Sequence, residues 1–286
     1  LRAGNSCVLH MDVPESSGAT SVTLVMENCD EQPCCEFTFE KERVSGVYTT
    51  WHCEFTMQER GLYFYWFRIG KRDGSFRLFR QGDQTNMEAG EKWQLSVIPQ
   101  DFTVPEFARG AVMYQIMPDR FFKAGECDLT DKLRPFWVHE KLSDTPQYTA
   151  DAEGNWCNDF FGGNLQGIRA KLSYLHTLGV GVLYLNPIFM AYSNHRYDTA
   201  DYKRIDPMLG TADDFAALCR DAHALGMRVI LDGVFNHTGS NSVYFDAKGI
   251  FGHGAVSDPN SPYRAWYRFR HYPDDYDAWW NMPTLP

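Results

Sequence analysis

The chain has 286 residues, of which 44% are hydrophobic and 22% charged, a composition typical of a globular protein with a large core. Its formal net charge of −10, without any basic run, argues against nucleic acid and anionic membrane surfaces as partners. No signal peptide and no apolar run of membrane-spanning length is recognisable, although the chain starts at Leu1 rather than at a methionine and so leaves a removed leader open.

Residues 1–103 are predicted to form an antiparallel β-sandwich, because short apolar or aromatic runs recur between turn residues such as Arg72-Asp73-Gly74. The aromatic run at residues 62–67 is predicted to be a central strand whose rings fill the core. Strands are expected at residues 21–26, 35–39, 47–55, 62–69, 76–79 and 93–97.

After a linker at residues 99–105, helices and apolar strands alternate, which is typical of a parallel sheet. Helix signals start at Leu165 and at Thr211, which has Asp214 three residues on, and they stop at Gly179 and Gly226. Strands are predicted at residues 111–116, 180–185 and 229–231. The stretch 238–286 is irregular and is predicted to be a long loop domain attached to the third strand.

The eight cysteines show no C-x-x-C spacing with matching histidines, so a zinc site is not expected. A chain of this length does not need disulfides. Cys219 falls on the apolar face of a predicted helix, which indicates a buried thiol. The cysteines therefore favour a reducing compartment, and we predict a cytoplasmic location while leaving secretion open.

Polar side chains crowd the end of the third predicted parallel strand. Asp232 follows the apolar run directly, and Asn236 and His237 come shortly after it. In parallel barrels this end of the strands carries the chemistry. The sequence therefore predicts a site for a polar ligand here.

The stretch Asp232-Gly233-Val234-Phe235-Asn236-His237 resembles the first signature region of the α-amylase superfamily, glycoside hydrolase family 13. Three further stretches, at residues 114–121, 186–188 and 195–202, are similar to that family in the same order. Residues 160–168 (Phe-Phe-Gly-Gly-Asn-Leu-Gln-Gly-Ile), together with the amino-terminal β unit, resemble the neopullulanase, cyclomaltodextrinase and maltogenic amylase branch.

This resemblance implies three regions. Residues 1–103 would be a starch-binding-like, immunoglobulin-like β-sandwich, and residues 104–237 the first three strands of an incomplete (β/α)8 TIM barrel. Residues 238–286 would be the loop domain inserted after strand three. By analogy with the branch, the β domain would also contribute to a homodimer.

The resemblance further implies a retaining hydrolase of α-glucosidic bonds in maltodextrin, pullulan or cyclodextrin, which needs a carboxylate pair. In the family the nucleophile and the acid follow the fourth and fifth strands. We therefore expect no catalytic carboxylate within residues 1–286, which would be the amino-terminal part of a larger enzyme and inactive alone. The sequence leaves open whether α-1,4, α-1,6 or cyclic substrates are preferred. It also leaves open whether glycosyl transfer competes with hydrolysis.

The same resemblance assigns roles in binding an α-glucan oligosaccharide. Tyr197 is expected to stack on a glucose ring, and His195 and His237 to donate hydrogen bonds to sugar hydroxyls. Asp232 is expected to orient its neighbours, or an arginine supplied by the missing half of the barrel, rather than to act as the catalytic acid. Asn236 is expected to bind sugar or to hold the loop domain.

No cofactor is expected to be required, but calcium is an open alternative. Asp128, the Gly162 carbonyl and Asn164 offer the oxygen ligands that calcium prefers, with Glu126 and Asp131 nearby in sequence. The family pattern has Asp where this chain has Asn164, which lowers the expected charge of the site. A merely solvated acidic loop is the slightly favoured interpretation.

Other interpretations remain at this point. The chain could be a non-catalytic carbohydrate-binding or interaction protein with a degenerate barrel, or a glucan-binding module acting through residues 1–105. Four aromatic residues of the loop domain are expected to pack rather than to bind sugar, namely Trp266, Tyr267, Trp279 and Trp280.

Overall fold

The computed structural model describes all residues from Leu1 to Pro286. The chain divides into two compact units, Leu1–Thr103 and Val104–Pro286. None of its helices combines the length and the apolar character needed to cross a bilayer.

The nine strands of the first unit pair in antiparallel fashion and are arranged in two sheets. Strands β1, β5 and β4 form one sheet, and the other has the order β3-β2-β6-β7-β8, with β9 also pairing with β6. The strands are β1 (Ser6–Pro14), β2 (Ser21–Glu27), β3 (Pro33–Thr38), β4 (Glu40–Ser45), β5 (Tyr48–Thr56), β6 (Gly61–Lys71), β7 (Gly74–Gln81), β8 (Gln84–Met87) and β9 (Trp93–Val97).

The core of this unit lies between the two sheets. Leu24 of β2 and Trp51 of β5 are buried in one cluster with Phe67 of β6, so side chains of both sheets interdigitate as in a sandwich. The prediction that residues 62–67 lie in a central strand is confirmed, because β6 pairs with β2, β7 and β9. All six predicted strands are present.

The second unit contains a three-stranded parallel sheet with the order β10-β13-β16, as the alternation of helix and strand predicts. Its strands are β10 (Val112–Ile116), β11 (Trp137–Val138), β12 (Asp159–Phe160), β13 (Val180–Leu185), β14 (Phe189–Ala191), β15 (Thr199–Ile205), β16 (Arg228–Leu231), β17 (Phe269–His271) and β18 (Asp275–Tyr276). Its helices are α1 (Pro118–Phe121), α2 (Leu165–Ala170), α3 (Leu172–Thr177) and α4 (Ala212–Ala224).

Helix starts and stops follow the sequence signals, with one difference. Thr211 and Asp214 form a complete capping box at the start of α4, and Gly179 and Gly226 adopt positive φ where the helical segments end. The predicted single helix after Leu165 is instead two short helices, because Lys171 leaves helical geometry between them.

The helices cover one face of the parallel sheet and bury Leu165, Leu175 and Leu218 against Leu183. Cys219, predicted to be buried, is only half-buried. Residues 186–210, for which no strand is predicted from the sequence, contain the antiparallel hairpin β14–β15. Residues 238–286 are irregular, as predicted, apart from the short pair β17–β18 and two 3-10 turns.

Candidate functional site

Asp232 lies at the carboxyl end of the parallel sheet. Its backbone N–H donates to the Leu185 carbonyl at 3.0 Å, which extends the β13–β16 pairing by one step beyond β16. Because parallel strands present their carboxyl ends at the same edge, the segments that follow β13 and β16 can meet here.

Tyr197 is anchored to this carboxylate. Its hydroxyl donates a hydrogen bond of 2.8 Å to Asp232 Oδ2. Burial, and then this bond to a carboxylate, raise the pKa of Tyr197 to about 12. Burial, and then the Asp232 carboxylate, also raise the pKa of Tyr184 in β13.

The loop that carries His195 and Tyr197 is held by a serine. The Ser193 hydroxyl donates to Asp198, accepts the Arg196 N–H at 3.0 Å and lies 3.0 Å from His195 Nδ1. Arg196 has a φ of +62°, a left-handed conformation that is uncommon for a residue with a side chain. The tight turn brings the rings of His195 and Tyr197 to a centroid distance of 5.8 Å.

His195 is arranged as a hydrogen-bond donor. Its Nδ1 accepts the Tyr197 backbone N–H at 3.1 Å, so a neutral ring carries its proton on Nε2. Burial, and the Arg196 charge to a smaller degree, lower the pKa of His195 despite the opposing carboxylate of Asp198. The ring is therefore neutral at neutral pH, with an Nε2–H available for a ligand.

His237 is engaged differently, because both of its ring nitrogens contact the protein. Nε2 must donate to the Tyr197 carbonyl at 3.0 Å, since a carbonyl only accepts. Nδ1 then accepts from the Asn236 amide at 2.7 Å. Burial lowers the pKa of His237, so the neutral ring ties the segment after β16 to the backbone of the Tyr197 loop.

The structure thus brings all five predicted sugar-binding residues into one cluster. Tyr197 is the hub, with Asp232 on its hydroxyl, His195 on its backbone N–H and His237 on its carbonyl. Asn236 joins through His237. The cluster combines an aromatic face, a neutral imidazole donor and an amide, which are suited to the apolar faces and hydroxyl groups of a sugar.

A buried group of charges lies beneath the Tyr197 loop, and the sequence analysis did not identify it. The side chains of Lys132, Arg196 and Asp206 are all fully buried. Lys132 Nζ lies 2.8 Å from Asp206 Oδ2, and Arg196 Nε lies 3.3 Å from the same oxygen. Both cations also lie over the Phe160 ring, at 4.7 Å for Lys132 and 5.5 Å for Arg196.

The Phe-Phe-Gly-Gly-Asn stretch has a structural explanation. A Cβ on Gly163 would lie 2.2 Å from the Pro118 carbonyl oxygen, and one on Gly167 would lie 1.8 Å from that of Phe122. Only glycine permits this approach of backbone to α1 and the residues after it. Asn164 caps α2 by accepting the Gly167 N–H at 2.7 Å.

Two residues of the alternative calcium site, Asn164 and Asp128, are engaged with the protein in this structure. The Asn164 oxygen already accepts two backbone N–H groups, and its amide nitrogen donates to the Ala124 carbonyl. The Asp128 carboxylate holds Thr130. No group of three or more His, Cys, Asp or Glu side chains is placed to hold a metal ion. Calcium binding stays an alternative to the slightly favoured interpretation of a solvated acidic loop.

An aromatic cleft of about 900 Å³ adjoins the cluster at His237 and Asn236. Trp279 lies against the His237 ring at a centroid distance of 6.2 Å. Trp280 is 77% exposed in the same cleft. The other aromatic residues that line it are Tyr202, Phe235, Tyr244, Tyr263, Trp266 and Tyr267.

Comparison with known proteins identifies similar chains in one family. The profile of the family "Alpha amylase, catalytic domain" matches residues 115–284. The amylopullulanase of Thermoanaerobacterium saccharolyticum is 39% identical over 275 residues, which cover 86% of this chain and 21% of that protein. The intracellular maltogenic amylase of Bacillus subtilis is 41% identical over 188 residues, 65% of this chain and 29% of that protein.

Among solved structures, the type III pullulan hydrolase from Thermococcus kodakarensis matches all of this chain with a TM-score of 0.54 and 26% identity. The matched region is 48% of that structure, so the chain spans less than half the length of each of these relatives. The match to the family profile and the identity to these enzymes lead to one conclusion: this chain belongs to the alpha-amylase catalytic-domain family.

Proposed function

We propose that this chain is the amino-terminal, sugar-binding part of a glycoside hydrolase that cleaves α-glucosidic bonds in maltodextrin, pullulan or cyclodextrin with retention. The observation that supports it is the single hydrogen-bonded cluster around Tyr197 at the carboxyl end of a parallel sheet. The names of the amylopullulanase and the pullulan hydrolase state related substrates for those proteins.

In this proposal the three parallel strands β10, β13 and β16 are the first three of a (β/α)8 barrel, with residues 104–237 as its βα units. Residues 238–286 would be the loop domain inserted after the third strand. Residues 1–103 would be a starch-binding-like domain that also contributes to a homodimer. Three strands do not close a barrel, because the tilt and stagger of the strands must match the number of strands in the closed sheet. The proposed barrel therefore needs further strands beside β10 and β16, the outer strands of this sheet.

Each residue of the cluster has a proposed role. The Tyr197 ring stacks on the glucose beside the cleavage point, held in plane by Asp232. His195 donates its Nε2–H to a sugar hydroxyl. His237 contacts the sugar only if a hydroxyl replaces one of its present partners, because both of its ring nitrogens are engaged. Asn236 donates one amide N–H to His237 and can offer its second N–H and its carboxamide oxygen to a sugar hydroxyl.

We further propose that residues 1–286 alone do not hydrolyse glucans. Asp232, the carboxylate in the cluster, accepts a hydrogen bond from Tyr197, which supports a role in orienting that ring rather than in attacking a sugar. A retaining mechanism needs two carboxylates about 5–5.5 Å apart across the bond. In the family to which the chain belongs, these would follow later strands of the barrel.

Binding of maltoheptaose to residues 1–286, measured by calorimetry or NMR, tests the site. Tyr197→Ala is expected to remove the binding. Tyr148→Ala is the matched control, because this tyrosine of the same unit is 76% exposed and outside the cluster. Binding that survives Tyr197→Ala, or that is lost equally in the control, would contradict the assignment.

Hydrolysis of pullulan, maltodextrin and cyclodextrin by the full-length protein tests the activity separately. Binding without turnover by the full-length protein would favour the non-catalytic alternative. Turnover by residues 1–286 alone would contradict the proposal that this segment binds sugar without containing the catalytic carboxylates. A cytoplasmic location also stays a proposal, although the name of the Bacillus subtilis relative states an intracellular one for that protein.

A further inference from the structure

Two adjacent thiols in the first unit lie side by side. Cys34 Sγ and Cys35 Sγ are 3.7 Å apart. Consecutive residues of a regular strand point to opposite faces of the sheet, so neighbouring side chains in β3 should not meet. The position of these two sulfurs therefore needs a local cause.

The cause is a β-bulge. In the β2–β3 pairing Met26 lies opposite Cys35 and Glu27 lies opposite Pro33, so Cys34 is an extra residue without a partner in the register. A bulge interrupts the alternation and re-aims the side chain of the inserted residue. Cys34 is thereby turned towards the sulfur of its neighbour.

The turn before the bulge is fixed by a side chain. The Asn28 carboxamide oxygen accepts the N–H groups of Asp30 and Gln32 at 3.0 and 2.9 Å. Its own backbone N–H donates to the Gln32 carbonyl at 2.9 Å. The register that produces the bulge is thus set within a few residues of the two thiols.

The pair is reachable from solvent. β3 is the outermost strand of its sheet, Cys34 is exposed and Cys35 is half-buried. A bulge on an edge strand also discourages pairing with other chains, and here it places two free thiols on that edge. Burial and the neighbouring Cys34 raise the pKa of Cys35 to about 12. Cys34 is the more exposed of the two thiols and is therefore the one that a reagent reaches first.

The geometry disfavours a disulfide between the two residues. Their peptide bond is trans, which sets the Cα atoms about 3.8 Å apart, whereas disulfides span roughly 4.4–6.8 Å. A single atom that bonds to both sulfurs does not require the longer Cα separation of a disulfide. With bonds of about 2.3 Å, as for zinc–thiolate, the observed sulfur separation of 3.7 Å subtends roughly a tetrahedral angle at that atom.

We propose that Cys34 and Cys35 form a chelating dithiol site for a soft, thiol-binding ion or metalloid that bridges the two sulfurs. With a trivalent arsine oxide, two S–H bonds and the arsenic–oxygen double bond break, and two arsenic–sulfur bonds form. The two thiol protons leave with the oxide oxygen as one water molecule. Arsenic stays trivalent, so no oxidant or reductant is needed.

Phenylarsine oxide with the intact 1–286 chain tests the proposal, by native mass spectrometry in the presence of excess 2-mercaptoethanol. The wild-type chain is expected to retain one arsenical with loss of one water. Cys34→Ser and Cys35→Ser should each lower its retention roughly 10²-fold or more, because the second bond to the same chain is then lost. Dithiothreitol, itself a dithiol, should remove it.

Cys29→Ser is the matched control, because Cys29 is an exposed thiol in the adjoining turn. It should bind like the wild-type chain. Circular dichroism identifies any variant that has not folded, and the exposed Cys34→Ser keeps the test valid if Cys35→Ser does not fold. Retention by Cys34→Ser equal to wild type, loss of binding in Cys29→Ser, or no adduct on the wild-type chain would overturn the proposal.

Discussion

The Tyr197 hydroxyl donates a 2.8 Å hydrogen bond to the Asp232 carboxylate, which fixes the plane of an aromatic ring from the end of a buried strand. The backbone of the same tyrosine is held by His237 at its carbonyl and by His195 at its N–H. A ring restrained at both ends loses little further conformational freedom when a ligand stacks on it. Preorganisation of this kind is what a sugar-stacking residue requires.

Asp232→Asn is predicted to lower the pKa of Tyr197 from about 12, because the amide keeps the shape of the side chain and removes its charge. The pKa of Tyr197 should not return fully to its ordinary value, because burial is the larger cause of the rise and is unchanged in the variant. The pKa of Tyr184 should fall with it. Ultraviolet titration of the tyrosines measures both, with the exposed Asp213→Asn as the control.

The sign of the effect on stability also follows. A tyrosine with a raised pKa stabilises the fold fully below about pH 10, the ordinary value, and this stabilisation is lost as the pH rises through about 12. The variant should therefore lose less stability across this alkaline window than the wild-type chain. An unchanged tyrosine titration in Asp232→Asn would contradict the anchoring role.

Oligosaccharide binding is predicted to weaken as the pH falls below the ordinary histidine value of 6.5. The pKa of His195 is lowered, chiefly by burial, so this ring is neutral above that value and takes up a proton only at lower pH. The added proton would sit on Nδ1 and face the Tyr197 N–H that Nδ1 now accepts at 3.1 Å. The loop should loosen, and its contribution to stability should be lost in the same acidic range.

Calorimetric titration with maltoheptaose at several pH values measures this, and NMR of the imidazole carbons assigns the titrating ring. His195→Gln provides the comparison, because its amide can donate to a sugar without titrating. Its binding should depend less on pH in the acidic range. An equally steep dependence in His195→Gln would show that another group is responsible.

Much of the fold could be predicted because apolar periodicity and turn residues are local signals. The three parallel strands and the capping box of α4 are examples. Strand β4 gave no such signal, since all its residues are exposed and mostly charged. Strand β1 does show a local signal, because apolar residues recur at every second position, namely Cys7, Leu9, Met11 and Val13. This strand is nevertheless absent from the predicted ones.

The five site residues were identified by their motifs, but their connections were not. That Tyr197 is the hub depends on the left-handed turn at Arg196, which no sequence pattern specifies. The buried Lys132 was missed for a related reason: it lies in a polar stretch and meets Asp206 only in the folded chain, 74 residues away in sequence. Contacts between distant segments depend on packing rather than on local propensity.

Asp206→Asn is predicted to destabilise the second unit by about 3–5 kcal/mol, because it removes the charge of the one carboxylate that both buried cations contact. Lys132→Met should cost less, since Arg196 still neutralises Asp206 and the apolar chain fills a similar volume. Denaturant unfolding measures both values. Asp131→Asn, an exposed member of a surface ion pair in the same segment, is the control.

The order of these two variants is the informative result. If the buried charges only contributed packing, Asp206→Asn, which changes shape least, would be the milder change. A larger loss in Lys132→Met than in Asp206→Asn would therefore contradict the electrostatic account. The Tyr197 loop should loosen together with this loss, because Arg196 lies between His195 and Tyr197.

The expectation that the aromatic residues of the loop domain pack rather than bind sugar can be tested one residue at a time in the aromatic cleft. Trp279 lies against His237 and has a packing role in the structure, whereas Trp280 is 77% exposed and held in a left-handed conformation with φ of +52°. An exposed ring in a strained backbone conformation is more readily explained by ligand stacking than by core packing. Trp280→Ala is therefore predicted to weaken maltoheptaose binding.

If stacking on a sugar contributes as much as an aromatic pair does, about 0.5–1.5 kcal/mol beyond the buried area, the affinity should fall roughly twofold to thirteenfold. Quenching of tryptophan fluorescence by the oligosaccharide measures it. Trp156→Ala is the matched control, because this indole is 63% exposed in the same unit and does not line the cleft. Since Trp280 has little surface to lose from a core, its variant should keep wild-type stability, and a loss of stability without a loss of affinity would restore the packing interpretation.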